Sequence, residues 1–269
     1  MSSSHMEGVY EAKLKNGETY YRSSLTFRRK HISLGSYHDP LLAHLAYRAA
    51  SNIIAPDSRI TIEDYKSSSA LSFEKWVVLI NFRDNNIYLG NPIYVYPKYF
   101  LYYLSPEHIL KFDTDDLFYF SSHKIMQRGN HYFVADYGMQ VNIASRYGIK
   151  NYAVPGVDYI FLNGDATDFR RENLEIHNAF HGVRPITKKG VTRYGVRIHI
   201  NGYYRVGIYD NMIYAAIAYN KAVDTLRKNG LKKNYSINYV DTISPREYAD
   251  IYSRIKISDK IINYQPDQA

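Results

Sequence analysis

RYGVRIHINGYYRVGIYDNMIYAAIAYNKAV, from Arg193 to Val223, decides the fold. Its first part alternates with period two: Tyr194, Val196 and Ile198 point to one side, and Arg197 and His199 to the other. Asn201-Gly202 between two β-rich runs is a strong hairpin signal. Across that turn Tyr203 and Arg205 return on the face of Arg197 and His199, in a strand expected to end at Gly207. The period then changes. Asp210 has good N-cap chemistry, and Ala215, Ala218 and Ala222 recur at helical spacing, which lets a helix lie close against the sheet.

The same plan occurs earlier in the chain. YYRSSLTFRRKHISLGSYHDPLLAHLAYRAA, Tyr20 to Ala50, has period-two strands, a turn at Arg28-Arg29 and a return strand expected to end at Gly35. Asp39 with Pro40 opens a helix carrying Ala43, Ala46, Ala49 and Ala50. Tyr21, Ser23 and Leu25 are expected to face inward. Arg22, Ser24 and Thr26 then face outward, opposite His31 and Ser33.

Both segments resemble the AP2/ERF DNA-binding domain, through LGSY with AHLAYRAA and VGIY with AAIAYNKAV. Two departures stand out: Tyr21 and Tyr194 replace the family's usual Trp, and the second copy reads as having a shortened first strand after Lys188, Lys189 and Gly190. The resemblance implies a three-stranded antiparallel sheet that enters the DNA major groove, its helix packed behind. On that docking the outward Arg22, Ser24, Thr26, His31, Arg197, His199, Tyr203 and Arg205 contact bases. An arginine fork on guanine O6 and N7 contributes roughly 1–3 kcal/mol of discrimination. Arg28, Arg29, Lys30, Lys188, Lys189 and Arg193 lie at turns or strand ends, where phosphate is the expected partner.

Between the copies, KWVVLINF (75–82), NNIYLGNPIYVY (85–96) and HYFVADYGMQVNI (131–143) read as aromatic strands, with Pro92 and Pro97 at edges or turns. KYFLYYL (98–104) reads as a short helix, and Trp76 as core. VDYIFLNGDATDFRRENLEI, Val157 to Ile176, resembles the body of an HNH endonuclease motif through Asn163-Gly164-Asp165, Asp168 and Arg170 to Leu174. The positions that carry HNH chemistry are replaced. Tyr159 or Phe161 stands for the general base, Phe169 for the central Asn, and about Ala179 for the metal ligand on the following helix. Phenylalanine neither accepts a proton nor binds a metal. The expected module is therefore catalytically silent and needs no cofactor, with Arg170 and Arg171 left to track a DNA backbone. The rival reading is an active site-specific endonuclease with a displaced metal site made of Asp158 and of His177 and His181 on one helix face.

Composition sets the frame. Among 269 residues, 45% are hydrophobic, enough for a sizeable core, and the net charge is +8. The fifty residues 186–235 carry ten basic and two acidic groups, so this block alone equals the net charge of the whole chain, which makes an anionic partner the first question. The absence of Cys excludes disulfides and thiolate chemistry. Twenty-nine Tyr also leave room for a protein-interaction module or self-association. No apolar run is long enough for a membrane helix, and no Walker, Rossmann, nucleophile-elbow or zincin motif is present. The opening MSSSHM reads as a cloning remnant with Met6 as the native start, so His5 is discounted.

The expectation is an α+β protein of four parts: an AP2-like domain at 7–55, a ββα-type HNH-like centre at 70–185, an AP2-like domain at 186–235 and a helical tail at 236–269. Pro56–Ser69 reads as a linker or exposed loop after the first unit, and Ser244-Pro245 opens a helix in the tail. The expected function is sequence-specific double-stranded DNA binding by a transcriptional regulator, cytoplasmic, phage- or mobile-element-encoded, or nuclear in a eukaryote.

Overall fold

A computed structural model describes residues 6–150, 153–178 and 180–266. The chain is a mixed α+β protein of helices and small antiparallel sheets, most of them three-stranded. It divides into two compact units: Met1–Ile143 with Phe161–Glu175, and Ala144–Ile160 with Ile176–Ala269.

In the first unit β1 (Val9–Lys13), β2 (Thr19–Phe27) and β3 (Lys30–Tyr37) form an antiparallel sheet in sequence order. Arg28 and Arg29 make the β2–β3 turn with φ of 47° and 64°, the paired positive values that a two-residue hairpin favours. The return strand runs past Gly35 to Tyr37. Asp39 caps α1 (Pro40–Ile54) by accepting from the Leu41 amide at 2.8 Å, and Ala43, Ala46 and Ala50 are fully buried on its inner face.

Pro56–Ser69 is not a linker. Ile60, Ile62 and Tyr65 join Leu25, Ile32, Ala46 and Trp76 in one core, because α2 (Phe73–Asn85) packs beside α1. KWVVLINF lies on α2 rather than in a strand, and every residue from Trp76 to Phe82 is buried. A helix apolar on all sides shows no amphipathic period to read. KYFLYYL instead forms a strand, β5 (Tyr99–Tyr103), between β4 (Ile93–Val95) and β6 (Ile109–Asp113). Phe100, Tyr102 and Tyr103 are buried on it, while Tyr99 and Leu101 are half-buried. A short α3 (Leu117–Ser122) and the sheet β7 (Ile125–Arg128), β8 (His131–Asp136), β9 (Met139–Asn142) complete this part.

The Val157–Ile176 stretch forms a hairpin, β10 (Tyr159–Phe161) with β11 (Leu174–Ile176). No helix follows β11: His177, Asn178, Phe180 and His181 lie in bends, irregular backbone and a turn. The amides of His177 and Asn178 both donate to the Asp158 carbonyl, at 2.8 and 2.9 Å, which ties this stretch to the segment before β10, and Gly182 then takes a φ of 72°. His177 and His181 therefore share no helix face, and Ala179 lies outside the described residues.

In the second unit β12 (Val183–Lys188), β13 (Val191–His199) and β14 (Tyr203–Tyr209) repeat the order and directions of β1–β3. The first strand is not shortened: it precedes the Lys189-Gly190 turn and has six residues, against five in β1. α4 (Met212–Lys228) is capped by Asn211, whose side chain accepts from the Ile213 amide at 2.6 Å; Asp210 pairs with Arg193 instead. Ser244 caps α5 (Pro245–Arg254) as expected. The expected tail is part of the core, since Ile257 and Ile261, the latter on α6 (Asp259–Ile262), pack with Val206, Ala222 and Leu226.

The two sheets share details beyond topology. In β2 the register with β3 shifts after Ser23, and in β13 the register with β14 shifts after Val196, so Leu34 and Val206 are the extra residues of matching bulges. The amides just after the shift, Ser24 and Arg197, donate to the Gly8 and Gly182 carbonyls at 3.1 and 2.9 Å. Gly8 and Gly182 have φ of 74° and 72°, and the rings of Tyr47 and Tyr219 occupy the place where a side chain would sit.

Candidate nucleic-acid interface

Alternation about the bulge turns one side of β12–β14 away from the core. On it Arg197 stands opposite Arg205, His199 opposite Tyr203, and Arg184 opposite Gly195. Arg184, Arg197, His199, Tyr203 and Arg205 are all exposed, while Val183, Val196, Ile198 and Val206 are buried behind them. The guanidinium groups of Arg184, Arg197 and Arg205 form no hydrogen bond or ion pair among the described residues. With Ile186, Gly195 and Ile208 they line a depression of about 240 Å³. Free guanidinium forks beside apolar side chains match the guanine edge and thymine methyl of a major groove. Arg184 lies outside the expected 186–235 domain; the Gly182-Val183 pair, matching Gly8-Val9, could have placed it on the first strand.

Lys233 Nζ lies 3.2 Å from His199 Nδ1. An ammonium only donates, so Nδ1 accepts and Nε2 carries the imidazole hydrogen. The ring meets Tyr203 edge-on at 5.0 Å. Lys188 and Lys189 are exposed at the β12–β13 turn, while Arg193 is shared with Asp210 at 2.8 Å.

The first sheet presents different chemistry at matching positions. Tyr10 stands where Arg184 does, Arg22 where Gly195 does, and Ser24 and Ser33 where Arg197 and Arg205 do. Thr26 and His31 are exposed opposite each other. Arg22 donates to the Tyr20 hydroxyl through Nε and Nη2, at 3.1 and 2.7 Å. Ser24 is not outward: at 8% exposure it is buried, its amide donating to the Gly8 carbonyl. Nor is Arg28 spare for phosphate. Its Nη1 donates to the Phe82 and Arg83 carbonyls at 2.8 and 3.1 Å, closing the last turn of α2. Arg29 is exposed, and Lys30 Nζ lies 4.9 Å over the Tyr88 ring.

The HNH-like stretch has its polar groups turned on one another. Asp168 is buried and accepts from Arg170 Nη2 at 2.7 Å; Arg170 also pairs with Glu172, so it is not a free backbone contact. Burial alone would raise the Asp168 carboxyl, but the hydrogen bonds and charge of Arg170 hold it below the usual range. The Arg171 amide donates to Asp113 at 2.8 Å. Phe169 is buried against Phe112, Phe161 and Tyr132, with ring centroids 5.6, 5.6 and 6.1 Å away. Tyr159 is half-buried, which raises its hydroxyl pKa.

Asp158 and Lys150 form a buried ion pair at 3.2 Å, their side chains 5% and 8% exposed. Asp158 also accepts from the Val154 amide and from Asn178 Nδ2, both at 2.8 Å. Its oxygens are thus committed to protein donors. Among the described residues no group of three or more His, Asp or Glu is placed to hold a metal ion, and no helix is long and apolar enough to cross a membrane.

No protein-family model matches the chain, no curated protein matches its sequence, and no solved structure matches its fold.

Proposed function

We propose that this protein is a sequence-specific double-stranded DNA-binding protein, acting as a transcriptional regulator, that reads the major groove through the outer faces of β1–β3 and β12–β14. The single observation that carries the reading is the unpaired set Arg184, Arg197 and Arg205, displayed on an exposed sheet face with His199 and Tyr203. Three free guanidinium groups on a surface that buries nothing of its own have an anionic, groove-shaped partner as their natural counterpart. Resemblance of both hairpin-and-helix units to the AP2/ERF domain supports the same docking.

The exposed positions differ between sheets, Arg184, Arg197 and Arg205 on one and Tyr10, Arg22 and Ser33 on the other. The target is therefore two unlike half-sites, with the second sheet supplying most of the base discrimination. Linking both readers in one chain raises the effective concentration of the second after the first has bound. The HNH-like stretch serves here as a scaffold without catalysis, Phe169 being buried among rings and Asp168 held by Arg170.

The test separates base from phosphate contacts. Arg197→Ala and Arg205→Ala should relax base preference at defined positions, whereas Lys188→Ala and Lys189→Ala should weaken all sequences alike. Equal loss on every sequence for Arg197→Ala would remove it from base reading.

A further inference from the structure

Beside the reading face, and wholly within the second unit, lies a cavity of about 610 Å³. That is within the roughly 300–1,000 Å³ of small-molecule sites. Its lining includes Arg184, Arg197, His199, Tyr203, Tyr219 and Tyr235. Arg184 and Arg197 also line the depression on the outer face of the sheet, so the two hollows share their cations.

The cavity is held open by bonds that need no ligand. Lys233 Nζ donates to the His199 and Ile200 carbonyls at 3.1 and 2.8 Å, and the Tyr235 hydroxyl to the His199 carbonyl at 3.0 Å. Farther along this segment Asn238 is buried, its Oδ1 accepting from the His181 amide at 2.6 Å and its amide donating to Asn220 Oδ1 at 2.8 Å. The Lys150–Asp158 pair and His181 form a further part of the lining. Lys233 is spent on the wall and Lys150 on Asp158. The cations left for a ligand are Arg184 and Arg197, whose guanidinium groups have no partner among the described residues.

Guanidinium forks match the bidentate geometry of phosphate and carboxylate. The remaining lining supplies what a nucleobase needs: tyrosine rings for stacking, worth about 1–3 kcal/mol per base, and the Nε2 hydrogen of His199 for a base acceptor. We infer that this cavity receives a single nucleotide, its phosphate on Arg184, with Arg197 at the rim shared with the sheet face, and its base beside Tyr203 and Tyr235. The nucleotide comes either from a strand of bound DNA, extruded from its stack, or from free mononucleotide. The first source rests on the DNA-binding reading; the second does not.

The test uses the full chain, two cavity-filling variants and one control variant away from the cavity and the sheet face. Ser236→Trp and Asn234→Trp fill the cavity from exposed rim positions, so one remains usable if the other misfolds. Arg246→Ala removes an exposed cation of α5 that lines neither hollow. Calorimetric titration with each of the four deoxynucleoside monophosphates should saturate, with Kd of about 1 mM or tighter for at least one. The affinity should fall by about tenfold or more in the Trp variants and stay unchanged in Arg246→Ala. Inorganic phosphate should bind more weakly than the nucleotide. In the second arm a fluorescent adenine analogue is walked through a bound duplex. A rise in its emission at one position, absent with the Trp variants, assigns the extruded source. Mononucleotide binding without any duplex binding would sink the DNA reading and leave the cavity's assignment standing. No saturation by any mononucleotide together with no emission change in the duplex would overturn the inference, as would phosphate binding as tightly as the nucleotide.

Discussion

Asp158 is a carboxylate held charged at low exposure. Burial pushes its pKa up, but the Val154 amide, the Lys150 ammonium and Asn178 more than offset this, so it stays below the usual range. Asp168 behaves alike through Arg170. Both groups contribute stability that is complete above the unfolded carboxylate pKa of about 3.9 and is lost as pH falls through their lower folded values. His181 adds an acid-side loss at higher pH. Burial, then Lys150, depress its pKa, so the unfolded chain takes up the proton first and stability declines as pH drops below about 6.5. Urea denaturation across pH should show both losses, and His181→Gln should flatten only the upper one. Asp158→Asn leaves the Lys150 charge buried without its counterion and should cost about 3–5 kcal/mol; a loss under about 1 kcal/mol, within the range of exposed pairs, would mean the pair is solvated. At this scale the outward set Arg197, His199, Tyr203 and Arg205 was legible, because alternation from Tyr194 carries through to them. Ser24 was not. Ser23, Ser24 and Leu25 are buried in succession, a break in period two that the matching strand β13 does not share, since Arg197 stays exposed between Val196 and Ile198.

At the scale of elements, the two hairpin-and-helix units could be read from turn residues, caps and alanine spacing, since these are local. The elements between them were misread where locality fails. KWVVLINF is apolar on every side and KYFLYYL is aromatic throughout, so neither shows a period, and tertiary packing decides helix for one and strand for the other. In place of the helix expected after β11, the described residues are irregular and bond to the carbonyl of Asp158, a partner distant in sequence. The duplicated bulge gives two checks. Ser23 occupies the place of Val196, and its buried hydroxyl has no hydrogen-bond partner among the described residues. Ser23→Val should stabilise the chain by about 1 kcal/mol, read as a Tm rise of about 2–4 °C; a fall would show that the hydroxyl is satisfied. Gly182→Ala must hold a left-handed φ against the Tyr219 ring and should destabilise by at least about 1–3 kcal/mol by denaturant titration.

For the whole molecule, the expected modules are regrouped: the segment after α1 and the C-terminal helices belong to cores rather than to linkers or tails. No composition shift marks this, because Pro56–Ser69 is polar except for the few residues it buries. Charge is the most legible global property, the 186–235 block carrying most of the sheet and, on it, the unpaired side chains of Arg197 and Arg205. Its consequence is salt dependence. Replacing Lys188 and Lys189 by Ala should reduce the slope of log K against log salt by about 0.9 for each DNA phosphate that is no longer neutralised. The measurement that tests the central claim most directly is selection of bound molecules from a random double-stranded DNA pool at about 150 mM salt. It compares the native chain with Arg197→Ala/Arg205→Ala. The native chain should enrich a motif of two unlike halves, and the variant should lose preference within one half while keeping the other. No enrichment, or an identical motif from both proteins, would contradict a reading role for the β12–β14 face.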